Sequence, residues 1–441
     1  MQPGPLSVIP LRADAVILIE HFKYNPLIRS FGALAIAEMV NRGTRILAAI
    51  ALAHVLGPAG FGAAAIAITT ADVLRVLTQT GLGARVVQVA EAELEAVCTS
   101  AFRLNWMLSG SIATLQIALA FPVAAAFGEP QISWMLIGLA IPLVTYPIGA
   151  VSVWRVHRAN RMGLASVMLA VSVAIENLLT IVFALTGFGV WSVVLPRIVT
   201  AIVWVVCYCC AEPWRPSEKA DSGTMRKTLR FGRIVLGSEL TTAFAQHGDK
   251  YLIGSLLGLE ALGIWYFAIN IGLGISKSFA HTLSYALLPF FSSAADGQDR
   301  RRRFKKSLML SYGTLIPVLV AQVGLAPVYV PLLFGEQWVH ATELIMILCL
   351  SAVTIPLWRA TGQYLRAADQ PSVELKWTIV QAFAGLAAIG CAAPFGLHVT
   401  AFAVLGVNIA LIPAALIAVN RLSPDYSADA AAMRPISLPT P

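Results

Sequence analysis

The chain has 441 residues, of which 58% are hydrophobic and only 12% charged, with a mean hydropathy of +0.75. Apolar runs of about 20 residues, long enough to cross a bilayer, recur along most of it, which excludes an ordinary soluble domain. The formal net charge of +8 would suit a nucleic-acid partner, but the basic residues fall in alternate connectors between apolar runs, which excludes that reading.

In chain order, residues 1–30 read as a cytoplasmic N-terminal segment. Its apolar stretch is short, is cut by Pro5, Pro10 and Asp14, and has no small-residue cleavage site, so it is not a cleavable signal peptide. Residues 12–24 set Arg12, Asp14, Glu20 and Lys23 among Val, Ile, Leu and Phe. They fit an interfacial helix on the inner leaflet or a mobile tail equally well. Six spans are expected in a first lobe over 31–210, at 31–55, 60–80, 102–126, 132–154, 164–186 and 189–210. A basic cytoplasmic linker covers 211–230. Six more spans fill 231–420, at 233–257, 261–290, 307–333, 341–365, 375–394 and 399–420. The tail 421–441 is rich in Pro and Ala and is expected to be a disordered cytoplasmic segment.

The connectors alternate in charge. One side carries Arg85, Arg155, Arg158, Arg161, the Arg215–Arg233 stretch, Arg300–Arg303 with Lys305 and Lys306, and Arg366 with Lys376. The six short connectors on the other side carry no Lys or Arg, only Glu129, Glu260, Glu336 and neutral residues. The bias of Lys and Arg toward the cytoplasm puts both termini inside.

The two halves repeat. Leu56-Gly57 with Gly62 returns 201 residues later as Leu257-Gly258 with Gly263, and Phe127-Gly128-Glu129 returns 207 later as Phe334-Gly335-Glu336. The Pro147 region returns at Pro356 and Phe188-Gly189 at Phe395-Gly396, in one order. Parallel repeats of this kind belong to transporters with a substrate path between the halves.

No catalytic site is found, since HExxH, GxSxG and Walker A patterns are all absent. The stretch Gly272–Ser278 has the wrong spacing for a phosphate loop. Cys207, Cys209 and Cys210 cluster with no CxxC or nearby His, so no metal site is expected and the thiols read as buried and inert.

The turn Leu56-Gly57-x-x-x-Phe61-Gly62, the stretch Asp249-Lys250-Tyr251-Leu252-Ile253-Gly254, the motif Leu333-Phe334-Gly335-Glu336-Gln337-Trp338, and Gly187-Phe188-Gly189-Val190-Trp191 carry a resemblance over about residues 30–420. The chain resembles the bacterial polysaccharide-transport, or oligosaccharide-lipid flippase, family of the superfamily that also holds multidrug and toxin exporters. The resemblance implies an all-α integral membrane protein of about 12 transmembrane helices in two parallel six-helix repeats, arranged as a V-shaped two-lobed fold with a central cavity and alternating access. It also implies a bacterial inner-membrane location and an undecaprenyl-pyrophosphate-linked oligosaccharide as cargo, for O-antigen, capsule or exopolysaccharide. Membrane lipids, a polysaccharide polymerase and a chain-length regulator are the implied partners, with no nucleic acid. No cofactor is implied beyond H+ or Na+ coupling. The lipid-II flippases of the superfamily have two further helices, for which this chain ends too early.

Charges inside spans are costly and face a cavity or a partner. Span one carries Glu38, Asn41, Arg42, Thr44 and Arg45, with Arg45 about 15 Å deep. Glu38 and Arg42 are four apart and can share a face. Span seven, the corresponding helix, carries Ser238, Glu239, Thr241, Thr242, Gln246, His247, Asp249 and Lys250. Arg75 and Lys277 correspond in spans two and eight. Arg42, Arg45, Lys250, Arg75 and Lys277 are therefore candidates to bind a pyrophosphate-linked sugar, Arg through a bidentate fork. The competing readings are snorkelling for Arg75 and Lys277, and structural ion pairs, such as Arg45 with Asp249, for the others. Glu176, Asp72 and Asp249 are the ion-coupling candidates, although Asp72 has Arg75 three residues on and Arg197 could reach Glu176. Trp191, Trp265, Tyr266 and Trp338 near the outer span ends fit an interfacial aromatic belt. A multidrug or toxin antiporter, a membrane polysaccharide polymerase and a major-facilitator sugar permease are the rival functions. The basic residues within the spans count against the first, the short outer connectors against the second, and the loop between spans two and three against the third.

Overall fold

The computed structural model describes residues 26–78, 82–216 and 222–421. The proposed interfacial helix at 12–24 and the tail beyond Arg421 lie outside them. Among the described residues the chain is helical with no strand. In order the helices are α1 (Pro26–Val55), α2 (Pro58–Val76), α3 (Leu82–Gln88), α4 (Leu94–Phe127), α5 (Gln131–Arg158), α6 (Met162–Leu185), α7 (Trp191–Ala211), α8 (Ser222–Ser292), α9 (Gly297–Phe334), α10 (Ala341–Ser351), α11 (Ile355–Ala367), α12 (Pro371–Ala392), α13 (Leu397–Ala410) and α14 (Ile412–Arg421). Each predicted span lies on helix. By length and composition, ten stretches among the described residues qualify to cross a membrane. Backbone polar groups are satisfied within each helix, which a hydrocarbon surrounding demands. Large apolar side chains stand outward in numbers, among them Leu169, Met309, Leu332, Phe383 and Phe395, as a lipid-facing surface requires.

The repeat is visible in the backbone. Gly128 and its counterpart Gly335 have φ of 67° and 93°, and Gly189 and Gly396 have φ of 54° and 103°. Glycine adopts positive φ at the least cost, which accounts for glycine at the corresponding turns of both halves. Gly258 breaks the 71-residue α8 with φ 85° and ψ 174°, dividing it into two arms. Its counterpart Gly57 has φ −63° and ψ 171°, in the extended region. The start of α8 at Ser222 lies within the stretch 211–230 read as a linker.

The chain forms two compact units that do not follow the sequence halves. Among the described residues, one takes in those up to 52 with those in 81–111 and 141–232, and the other takes in those in 53–80, 112–140 and from 233 on. In the first, Leu82, Val86, Val89, Leu94, Val97, Cys98, Leu104 and Val151 form a core against which Trp154 and Trp214 pack. Arg158 staples the connector beside it: its guanidinium donates to the carbonyls of Val86 (3.0 Å), Val87 (3.2 Å) and Val89 (2.7 Å) and to Glu91 (2.8 Å). Arg155 bridges Glu95 and Glu212 at 2.6 and 3.3 Å.

In the second unit an aromatic cluster joins α2 to α8 and α9. The Phe61 ring meets Tyr266, Phe267 and Trp338 at centroid distances of 6.2, 6.0 and 5.3 Å, and Phe267 stacks on Trp338 at 4.0 Å. Trp338 is fully buried and donates its indole N–H to the Ala53 carbonyl at 3.0 Å, and Trp265 is only 2% exposed. These two tryptophans are core residues rather than members of an interfacial belt, because their rings fill the contact between helices. Tyr266 is half-buried, and Trp191 alone of the four is exposed.

Candidate functional site

The sequence-predicted charges divide between the two units. In the first, α1 carries Arg42, half-buried, and Arg45, exposed. The Glu38 side chain lies outside the described residues. Asn177 on α6 donates to the Thr44 hydroxyl at 3.0 Å, fastening α6 beside the polar stretch of α1. The residue before it, Glu176, pairs with Arg197 of α7 at 3.4 Å, as the spacing of the sequence allowed. Glu176 is thus a paired acid on the helix that touches α1.

The second unit gathers the rest. Asp72 and Arg75 pair at 3.3 Å along α2, one turn apart, with the Arg75 side chain 63% exposed. Tyr251 donates to the Thr70 hydroxyl at 2.9 Å, joining α2 to the first arm of α8. On that arm Lys250 is buried. Its ammonium donates to Asp249 Oδ1 at 2.9 Å and to the Gln246 carbonyl at 3.1 Å. The other Asp249 oxygen accepts the Trp265 indole N–H at 3.2 Å, so the carboxylate bridges both arms of α8 across the Gly258 break. Asp249 therefore takes its own chain neighbour as partner, where the sequence had offered Arg45.

Around this pair the field is cationic. His247 stands within electrostatic reach of Asp72, Arg75, Asp249 and Lys250. Lys277 on the second arm of α8 stands within reach of Lys250, Asp249 and Arg359. Asp72 already holds Arg75 and Asp249 already holds Lys250. Among the described residues neither Lys277 nor Arg359 has an ion-pair partner. Both are exposed, two cations without an ion pair on membrane-spanning helices, and so open to an anion. Arg359 was missed by sequence reasoning, although a lone Arg inside the apolar span 341–365 was itself the signal. The Trp265 contact had no sequence signal, since it joins residues 16 apart across a helix break.

Among the described residues no group of His, Cys, Asp and Glu has the arrangement of a metal site. Cys98 and Cys349 are buried, whereas Cys207 and Cys210 are exposed and Cys209 is half-buried. The expectation of buried thiols at 207–210 is corrected for Cys207 and Cys210, which are exposed, whereas the Cys209 thiol turns toward the Ile148 carbonyl at 3.7 Å.

The sequence profile described as "Polysaccharide biosynthesis protein" matches residues 51–343. The chain is 25% identical to the succinoglycan biosynthesis transport protein ExoT of Rhizobium meliloti, over 82% of this chain and 73% of that protein. It is 20% identical to the lipopolysaccharide biosynthesis protein WzxC of Escherichia coli, over 80% and 73%. The fold is similar to that of the lipid II flippase MurJ in an inward closed conformation, with a TM-score of 0.72 at 12% identity, covering 88% of this chain and 87% of that one. It is also similar to an inward-facing multidrug resistance MATE transporter of the MOP superfamily, with a TM-score of 0.66 at 14% identity, covering 89% and 98%.

Proposed function

Because the chain belongs to the polysaccharide biosynthesis protein family, we propose that it is a flippase for an undecaprenyl-pyrophosphate-linked oligosaccharide, which it carries from the inner to the outer leaflet of the bacterial inner membrane. The observation that carries this reading is the surplus of cations on the membrane helices of the second unit. Lys277 and Arg359 make no ion pair among the described residues, and Lys250, already paired with Asp249, lies within reach of Lys277. A pyrophosphate between lipid and sugar supplies the missing negative charge, and Arg offers it a planar pair of donors. Arg42 and Arg45 on α1, in the other unit, are further substrate-binding candidates by the same chemistry. Glu176, Asp72 and Asp249, each held by a cation, are the groups we assign to H+ or Na+ coupling. The reaction makes and breaks no covalent bond. Both termini lie in the cytoplasm, where the basic connectors hold them. A polymerase and a chain-length regulator act on the delivered unit.

Deletion of the gene tests this. Lipid-linked oligosaccharide should accumulate on the inner leaflet and surface polymer should disappear. Unchanged polymer with altered drug sensitivity would instead support a multidrug antiporter. Reporter fusions at Gly128 and Gly335 should read periplasmic and one at Gln298 cytoplasmic; a cytoplasmic reading at either glycine overturns the orientation.

A further inference from the structure

We propose that Gly62 and Gly263 form a clasp that closes the outer end of the path between the repeats and is made in only one state of the transport cycle; this rests on the transporter reading above. The contact is reciprocal. A Cβ placed on Gly62 would overlap the carbonyl of Leu259 and lie 3.2 Å from the amide nitrogen of Gly263. One placed on Gly263 would overlap the carbonyl of Pro58 and lie 3.0 Å from the amide nitrogen of Gly62. Gly263 is the repeat counterpart of Gly62, and Leu259 that of Pro58, both at an offset of 201 residues. The first turns of α2 and of the second arm of α8 thus meet main chain to main chain, each glycine against the other helix's first carbonyl.

Such mutual exchange of equivalent contacts marks a local two-fold axis. Equivalent points of two parallel repeats meet only on the axis that relates them, and a path between the repeats runs along that axis. The contact therefore obstructs the path, at the end where α2 and the second arm of α8 begin. With both termini inside, that end is the outer one.

Small residues let membrane helices approach this closely, and glycine otherwise costs a helix about 1 kcal/mol relative to alanine. The close approach supplies the reason for glycine at both positions. Gly60, two residues from Gly62, meets only Leu56 side-chain atoms, at 3.6 and 3.7 Å, and serves as an internal control. Opening the outer end must separate the two first turns, and then neither glycine is required. A Cβ at either position thus penalises the closed state selectively.

The test places spin labels at the counterpart positions Ala59 and Glu260, both exposed beside the clasp, through Ala59→Cys and Glu260→Cys in a full-length chain whose native cysteines are replaced. The parent should show a short distance population. Gly62→Ala and Gly263→Ala should each raise the longer-distance population by about threefold or more, to similar extents, and Gly60→Ala should leave it unchanged. In the chain with native glycines, cross-linking the two introduced cysteines should abolish transport, and reduction should restore it. Distances in both variants identical to the parent, or full transport through a completely cross-linked chain, would overturn the proposal. If the alanine variants fail to accumulate, the cross-link decides alone. The distance readout needs no substrate: a cross-link that blocks drug export rather than polymer output would leave the clasp standing and overturn only the flippase assignment.

Discussion

Replacing Asp249 by Ala leaves the Lys250 ammonium in a site where its side chain is 10% exposed, with only the Gln246 carbonyl as partner. At the observed 2.9 Å and an effective dielectric of about 20, the attraction lost is about 6 kcal/mol. Most of it offsets the cost of taking both ions out of water, so the loss on removing one partner is about 3–5 kcal/mol. Lys250→Met should cost less, because Asp249 keeps the Trp265 indole N–H. The double variant Asp249→Ala/Lys250→Met should recover most of the loss, since it strands no charge. Unfolding of the purified protein in detergent, with each single variant compared with the double, measures the coupling directly. Single and double variants that simply add would refute the idea that the pair is one energetic unit. Transport then separates support from recognition. If Lys250 grips the anion, the double variant regains stability but not transport; recovery of both would remove Lys250 from the binding site.

Two further outcomes follow from the backbone and the basic connectors. Gly57→Ala and Gly258→Ala alter the same motif in the two repeats, and neither added Cβ meets an atom within 4 Å. Gly57→Ala should be neutral or stabilising by up to about 1 kcal/mol, whereas Gly258→Ala should cost about 1–3 kcal/mol at φ 85°; equal effects in thermal unfolding would contradict the geometry. Arg158→Lys should not replace the arginine, since an ammonium cannot reach three carbonyls and Glu91 together. The loss, about 2 kcal/mol, should appear as faster tryptic cleavage at Arg85, and an unchanged cleavage rate would show that the staple does not hold the connector.

The helical spans were legible because hydropathy and length are properties of single segments, and the repeat was legible because four motifs kept their order. Pairing was less so. Asp72 with Arg75 could be foreseen from helix spacing, and Glu176 with Arg197 from two lone opposite charges on consecutive spans. Lys250 with Asp249 could not, since adjacent residues on a helix do not face each other. The contact forms because the long Lys side chain folds back beside a carboxylate that Trp265 already orients. Trp265 and Trp338 were read as interfacial because that is where tryptophan gathers when nothing else is known; only the approach of α2, α8 and α9 buries them. Arg359 stood in plain view within an apolar span, but Lys277, the cation within its reach, is 82 residues away in the chain and no local pattern joins them.

A closure made of glycine and carbonyl has consequences for how the protein can change over time. Its fit is written in main-chain atoms, which every residue shares, so substitutions in the side chains that meet cargo leave it untouched. Selection can remodel those side chains for one saccharide after another while the seal stays constant. The same independence gives the seal no graded adjustment: it is tuned only by exchanging a glycine, at a cost large enough to be removed by selection. Saturation mutagenesis of 58–62 and 259–263 would then show Gly62 and Gly263 as intolerant as the buried Phe61 and Leu262 beside them, with the exposed Ala59 and Glu260 permissive, the imprint of a part inherited whole rather than refined.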